Sequence, residues 1–287
     1  MSFQKNEQTI TGSHHKPILL DITLNPAADK RPVILYAHGF NGFKDWGNFD
    51  LIARQFVNAG FTFVKFNFSH NGTTPEQPLD FADLEAFAEN NYTKELYDLE
   101  KVIDWIGSDQ NPFAAYIDHE QLGLIGHSMG GGISILKAAE DRRIQALATW
   151  AAIDECKTPW THWPQDKLEN WKDEGVAYYF NGRTQQQMPM HYQLYEDFQQ
   201  HSDRLDIINA AGKIAIPWLI CHGLSDTSVS VESAYSLHRA CPQATLFTPD
   251  SDHVFGRKHP WQGDTLPDAM QEVLLRNIAF FLSVFKK

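Results

Sequence analysis

The sequence predicts an α/β fold, a mostly parallel central sheet flanked by helices. Three observations point there. Short apolar runs alternate with longer amphipathic segments along most of the chain. At 287 residues, 43% apolar and 21% charged, the chain can bury a sizeable core and lacks the composition of a disordered protein. No internal repeat, low-complexity tract or Ser/Gly linker breaks the rhythm. Strand–helix alternation of this length requires a parallel sheet covered on both faces.

The elements follow in order. Val33 to Ala37 reads as a buried strand, Phe49 to Ala59 as a helix and Phe61 to Phe68 as a second strand. Leu96, Leu99, Val102, Ile103 and Ile106 recur at helical spacing. Gln121 to Ile125 is a third strand, followed by a helix through Ile133 to Ala139. Gln145 to Ala152, Trp218 to Cys221 and Thr245 to Thr248 are further strands. The last helix carries Met270, Val273, Leu274, Ile278, Phe281, Leu282 and Phe285, with Pro267 near its first turn.

One interval departs from the rhythm. From Asp154 to Gly212 no strand is evident and aromatics crowd together, among them Trp160, Trp163, Trp171, Tyr178, Tyr179, Phe180, Tyr192, Tyr195 and Phe198. A helical or irregular insertion lying over the sheet as a lid accounts for both facts, and a helical hairpin whose aromatics fill the core is the plainer alternative. The expected organisation is a single core domain from residues 1–153 and 213–287, with residues 154–212 inserted as a lid or cap.

Charge narrows the function. Asp and Glu number 36 against 24 Lys and Arg, a formal charge of -12, which repels a phosphate backbone and argues against nucleic-acid binding. No apolar run reaches the ~18–20 residues of a membrane-spanning helix, and Met1 to Lys16 is polar and lacks a signal-peptide core. Three widely spaced cysteines, Cys156, Cys221 and Cys241, fit neither a disulfide framework nor a zinc site. The expectation is a soluble cytoplasmic protein. Its histidines and acids form no metal-ligand spacing, and no GxGxxG or P-loop occurs, so neither a metal nor a nucleotide cofactor is expected.

The chemistry centres on Gly126-His127-Ser128-Met129-Gly130, between an apolar strand and a helical run. A serine there sits on a tight, strained turn that lifts its hydroxyl above the sheet, and small residues two positions away let neighbouring backbone pass. The helix that follows favours developing negative charge. A glycine-rich turn with a merely exposed serine is the plainer reading of the same letters.

With this motif the chain resembles the α/β-hydrolase superfamily over almost its whole length. It is most similar to small serine esterases of the dienelactone hydrolase and cinnamoyl or feruloyl esterase group. The matching pieces are His38-Gly39-Phe40, the Gly126 to Gly130 turn, Gly223-Leu-Ser-Asp226, and His253 before the last helix. The resemblance implies a triad in the order Ser, acid, His. Asp226 is the expected acid because it follows the strand Trp218 to Cys221 on a C-terminal loop, where such sheets gather catalytic groups. Asp226 could instead be a turn or N-cap residue, and Asp203 and Asp206 are fallback acids. His253 is the expected base, with His259 its competitor; His38 and His222 sit at strand exits that usually make structural hydrogen bonds. The resemblance further implies an oxyanion hole from the backbone N–H groups of Phe40 and Met129.

The expected function is a cofactor-independent serine hydrolase acting on carboxylic esters of small to medium apolar or aromatic acids, a small-molecule substrate. Amidase or peptidase and thioesterase activity are the alternatives within the same machinery. A peptidase would need a carboxylate anchor, for which Glu155, Asp166, Glu169, Asp173, Glu174, Glu196 and Asp197 are candidates. A noncatalytic binding protein is the alternative of another class. Exposed lid aromatics would offer a homodimer contact. His70 and Asn71 are expected to shape a turn, Lys44-Asp45-Trp46 to pack, and Cys221 to fill the core.

Overall fold

Along the run Val33 to Ala37 every residue is apolar, so both sets of alternate side chains need a partner. Val33, Leu35 and Ala37 enter one core while Ile34 and Tyr36 enter another on the opposite face. The computed structural model, which describes residues 3–285, shows how both are covered. Eight strands form one sheet: β1 (Gln4–Thr11), β2 (Pro17–Leu24), β3 (Arg31–Ala37), β4 (Thr62–Phe66), β5 (Ile117–His127), β6 (Ile144–Trp150), β9 (Trp218–Cys221) and β10 (Thr245–Phe247). Their order is β1-β2-β4-β3-β5-β6-β9-β10. The β1–β2 and β2–β4 pairs are antiparallel and the rest are parallel.

Helices α1 (Phe49–Asn58) and α9 (Asp268–Phe285) cover one face through Phe49, Ile52, Phe56, Met270, Val273 and Phe281. The other face is covered by α3 (Tyr92–Ile106), α4 (Met129–Glu140) and α8 (Val231–Ala240), with the short α2 (Leu84–Ala88) nearer the rim. The parallel strands end on one side, so the loops after β3, β5, β9 and β10 converge there.

Two strands escaped the sequence reading at the antiparallel edge. Strand β1 is almost entirely polar, and β2 is interrupted by the fully buried Asp21. That carboxylate is matched in place. Lys44 Nζ lies 2.9 Å and Lys5 Nζ 3.2 Å from it, and the buried Lys65 bonds Asp45 at 2.5 Å and Asp50 at 2.6 Å. Three carboxylates and three ammonium groups tie the loop after β3 to the sheet edge. Lys44-Asp45 belongs to this cluster, and Cys156, Cys221 and Cys241 are buried free thiols.

Residues 154–212 contain α5 (Gln165–Glu174), α6 (Gln193–Gln200) and α7 (Ile207–Ala211), but also an antiparallel hairpin of β7 (Val176–Asn181) and β8 (Gln186–His191). The expectation of a strandless insertion is therefore corrected. Strand β8 alternates through Met188 and Met190, which are buried, whereas Tyr178, Tyr179 and Phe180 of β7 are consecutive and exposed. Neither run carries the β-branched alternation that marks a strand in sequence. The other aromatics pack on one another: Trp171 donates its indole N–H to the Met190 carbonyl at 2.8 Å, and Trp160 and Trp163 lie against its ring.

Candidate active site

Ser128 is held where serine rarely goes. It has φ 56° and ψ −121°, a conformation that costs a non-glycine residue about 1–3 kcal/mol. Four backbone hydrogen bonds hold it. Its N–H donates to Trp150 at 2.9 Å, and its carbonyl accepts from Gly131 at 2.9 Å, Gly132 at 3.2 Å and Ile153 at 3.3 Å. Glycine is obligatory two residues either side. A Cβ on Gly130 would meet the His38 carbonyl oxygen at 2.1 Å, and one on Gly126 would meet Ser134 Oγ at 2.3 Å. Ser128 then opens the N-terminus of α4.

The loop after β3 passes directly over this turn: a Cβ on Gly39 would lie 2.8 Å from Ser128 Cβ and 3.4 Å from its Oγ. Phe68 N–H donates to His38 Nε2 at 3.2 Å, so His38 Nδ1 carries the hydrogen and donates to the Gly39 carbonyl at 2.9 Å. Burial pushes the His38 imidazole down to about 4. Gly42 N–H also donates to that carbonyl, at 3.0 Å. With the carbonyl fixed, the trans peptide turns the Phe40 N–H the opposite way. Neither the Phe40 nor the Met129 N–H is taken by a backbone carbonyl among the described residues. The Phe40 ring packs between Phe87 of α2 and Tyr179 of β7, at 5.5 and 5.6 Å.

Asp226, on the loop after β9, accepts three hydrogen bonds and is approached by a second histidine. Its Oδ1 takes the N–H groups of Ser228 at 2.8 Å and Val229 at 2.9 Å, and its Oδ2 takes His253 Nδ1 at 2.7 Å, with His222 Nε2 lying 3.2 Å away. Burial pushes its carboxyl upward, but the neighbouring His222 and then His253 outweigh burial and hold it well below the usual carboxylate range. The N-cap of α8 is Ser230, so Asp226 shapes the turn with one oxygen and meets His253 with the other.

The His253 backbone is moored as well. His127 Nε2 donates to its carbonyl at 3.0 Å, and the two rings lie 4.8 Å apart. Burial, reinforced by His253 and Arg257, holds the His127 imidazole well below its ordinary value. The sequence alone assigns His127 no role, because its partner is 126 residues away. Ser128 and His253 line one cavity of about 400 Å³ with Phe40, Phe43, Trp46 and Tyr179; among the described residues no hydrogen bond joins Ser128 Oγ to His253.

Other candidates lie elsewhere. His259 accepts the Gly47 N–H at 2.9 Å and packs against Phe43 and Trp46, at the cavity wall but away from Asp226. Asp206 caps α7, and Asp203 sits in the turn before it. Asn71 bonds Thr73 and Gly42, as a turn residue does. None of the seven carboxylates proposed as a peptide anchor lines the cavity, and among the described residues its lining includes Arg183, Arg257 and Lys258 but no Asp or Glu. The Arg257 guanidinium is buried against Trp46, Phe49 and Trp150. Possible ligand groups cluster at Glu85, Glu89 and His191 and at Asp21, Asp45 and Asp50, and neither set lines the cavity. No helix among the described residues is long and apolar enough to cross a membrane.

Comparison with known proteins agrees with this architecture. A family model described as alpha/beta hydrolase fold matches residues 32–175. The uncharacterized protein YcjY of Escherichia coli (strain K12) is 25% identical over 154 residues, 52% of this chain and 46% of that protein. The chain spans less than half the length of the curated relatives it matches. Among solved structures, a putative hydrolase from Agrobacterium vitis S4 has a TM-score of 0.73 at 17% identity, covering 98% of this chain and 100% of that one. Est1E from Butyrivibrio proteoclasticus with ferulic acid bound has a TM-score of 0.70 at 16% identity, again over 98% and 100%. These likenesses are likenesses of fold.

Proposed function

The chain belongs to the alpha/beta hydrolase fold family, and we propose that it is a serine hydrolase of carboxylic esters. The observation that carries this reading is the pairing at one cavity of a serine on a strained turn with a histidine bonded to a buried aspartate. In the proposed reaction the Ser128 Oγ–His253 Nε2 contact forms as substrate binds. Oγ attacks the ester carbonyl carbon while its proton passes to Nε2. Asp226 keeps Nδ1–H in place and stabilises the imidazolium. The oxyanion is received by the Phe40 and Met129 N–H groups. Collapse expels the alcohol, which takes the proton from His253, and leaves an acyl-serine. Water then attacks, yielding its proton to His253, and the acid departs as Ser128 is regenerated.

The aromatic lining and the size of the cavity support a small to medium apolar or aromatic acyl group, with the 154–212 segment serving as its cap. The absence of Asp and Glu from the lining weighs against a peptidase that grips a free amino terminus. Hydrolysis of p-nitrophenyl esters of increasing acyl length, by the native chain and by Ser128→Ala, tests the proposal. Loss of at least about a thousandfold in kcat is expected in the variant. Turnover surviving in Ser128→Ala would reject the nucleophile, and no Ser128-dependent turnover on any ester would favour the amidase or binding-protein readings.

A further inference from the structure

Asp226 is met by two histidines, and the proposed reaction uses only one. His222 leaves the end of β9 and is fully buried. Its Nε2 lies 2.9 Å from the Val229 carbonyl oxygen and 3.2 Å from Asp226 Oδ2. A carbonyl can only accept, so Nε2 carries the hydrogen, donates it to Val229 and turns its positive edge toward Asp226 Oδ2. Its Nδ1 is buried and has no hydrogen-bond partner among the described residues.

This arrangement supplies something the other bonds do not. The Ser228 and Val229 N–H groups both hold Oδ1, which leaves the carboxylate free to swing Oδ2 about that anchored atom. We propose that His222 is a positioning residue for the triad, fixing the carboxylate plane so that Oδ2 faces His253 Nδ1 and drawing part of that oxygen's charge away from the imidazolium. The inference rests on the serine hydrolase reading above. The other titratable or charged groups about His253 are His127 at the end of β5 and, on its own loop, Arg257 and the adjacent Asp252, whose carboxylate accepts from the Val254 and Gly256 N–H groups; none of them bonds Asp226.

The test is the pH profile of kcat/KM for p-nitrophenyl acetate in the native chain, His222→Phe and His222→Gln. Phenylalanine keeps the bulk and loses the donor; the glutamine amide reaches the position of Nε2. In His222→Phe kcat falls about tenfold with KM within about twofold. Asp226 then offers all of its Oδ2 charge to His253, so the acid limb of the profile moves to higher pH by roughly half a unit. His222→Gln restores both toward native values. Should His222→Phe fail to fold, His222→Asn, whose amide ends short of Asp226, takes its place. An unshifted acid limb, or Asn and Gln variants that behave alike, would overturn the positioning role. Ser128→Ala run beside them separates the two failures: turnover without Ser128 sinks the hydrolase reading, whereas Ser128-dependent turnover with an unmoved profile sinks only the role of His222.

Discussion

The turn carrying Ser128 and the 154–212 segment both border the cavity, yet they are fastened by different means. The turn is held by main-chain hydrogen bonds and by glycines pressed against neighbouring backbone. The segment joins the rest of the molecule largely through side chains. Asp197 accepts from Thr93 Oγ1 at 2.5 Å, Asn91 bonds Gln193 at 2.7 Å, His191 bonds Glu89 at 2.6 Å and Gln186 bonds the Phe81 carbonyl at 3.1 Å. A main-chain fastening admits almost no substitution, whereas a side-chain fastening can be altered one bond at a time. The geometry of the Ser128 turn is therefore rigidly specified, while the opposite wall of the cavity is open to variation.

Gly130→Ala attacks the rigid side of this comparison. Its Cβ would meet the His38 carbonyl, which cannot retreat without disturbing β3, so a loss of about 3 kcal/mol or more is expected in urea unfolding, with turnover gone. A loss below about 1 kcal/mol would show that the turn yields more than its contacts imply. Asp197→Ala probes the other side. It removes the acceptor of two Thr93 bonds and is expected to cost about 2 kcal/mol. Hydrogen exchange should rise in α6 while turnover of a small ester changes less than about threefold. Equal loss of exchange protection in α4 would erase the distinction.

Beside this seam, Glu95 of α3 is buried with Oε2 unpartnered. Burial pushes its carboxyl up to about 8; the Asn90 hydrogen bond opposes this and neighbouring Asp98 adds to it. A carboxyl raised in the folded chain contributes its full stability below the ordinary glutamate value and loses it as pH rises through about 8. Between pH 6.5 and 8 stability should fall by up to about 1 kcal/mol per unit in the native chain and more gently in Glu95→Gln, measured by Tm. Parallel curves would place the proton elsewhere. The smallest expected effect is a gain: Ser128→Gly relieves the strained φ and should stabilise the chain by about 1 kcal/mol in urea while ending turnover. No gain would mean that the turn stores little strain.

The same contrast explains what was legible in the sequence. The Gly126–Gly130 spacing is local, and its steric reason acts within five residues and the strand beside them. Strand exits likewise pointed to Asp226 and His253, which the fold brings together at 2.7 Å. The roles of His127 and His222 were not legible as such, because one bonds a residue far along the chain and the other is defined by how a loop folds back. Strands β1 and β2 were hidden by polar edge positions and by Asp21, whose burial makes sense only beside lysines from three other segments. The β7–β8 hairpin was hidden because its exposed aromatics do not alternate.

The cluster of Asp21, Asp45 and Asp50 with Lys5, Lys44 and Lys65 has a thermal consequence. It moors the loop whose Trp46 forms part of the cavity wall. Hydration of charged groups weakens on heating, so the cost of keeping these ions out of water declines as temperature rises. The ion pairs that join the 154–212 segment to the rest of the chain, Arg183–Asp80 and Arg204–Glu140, are already largely in water and gain less. Warming therefore favours the mooring of one wall of the cavity over that of the other.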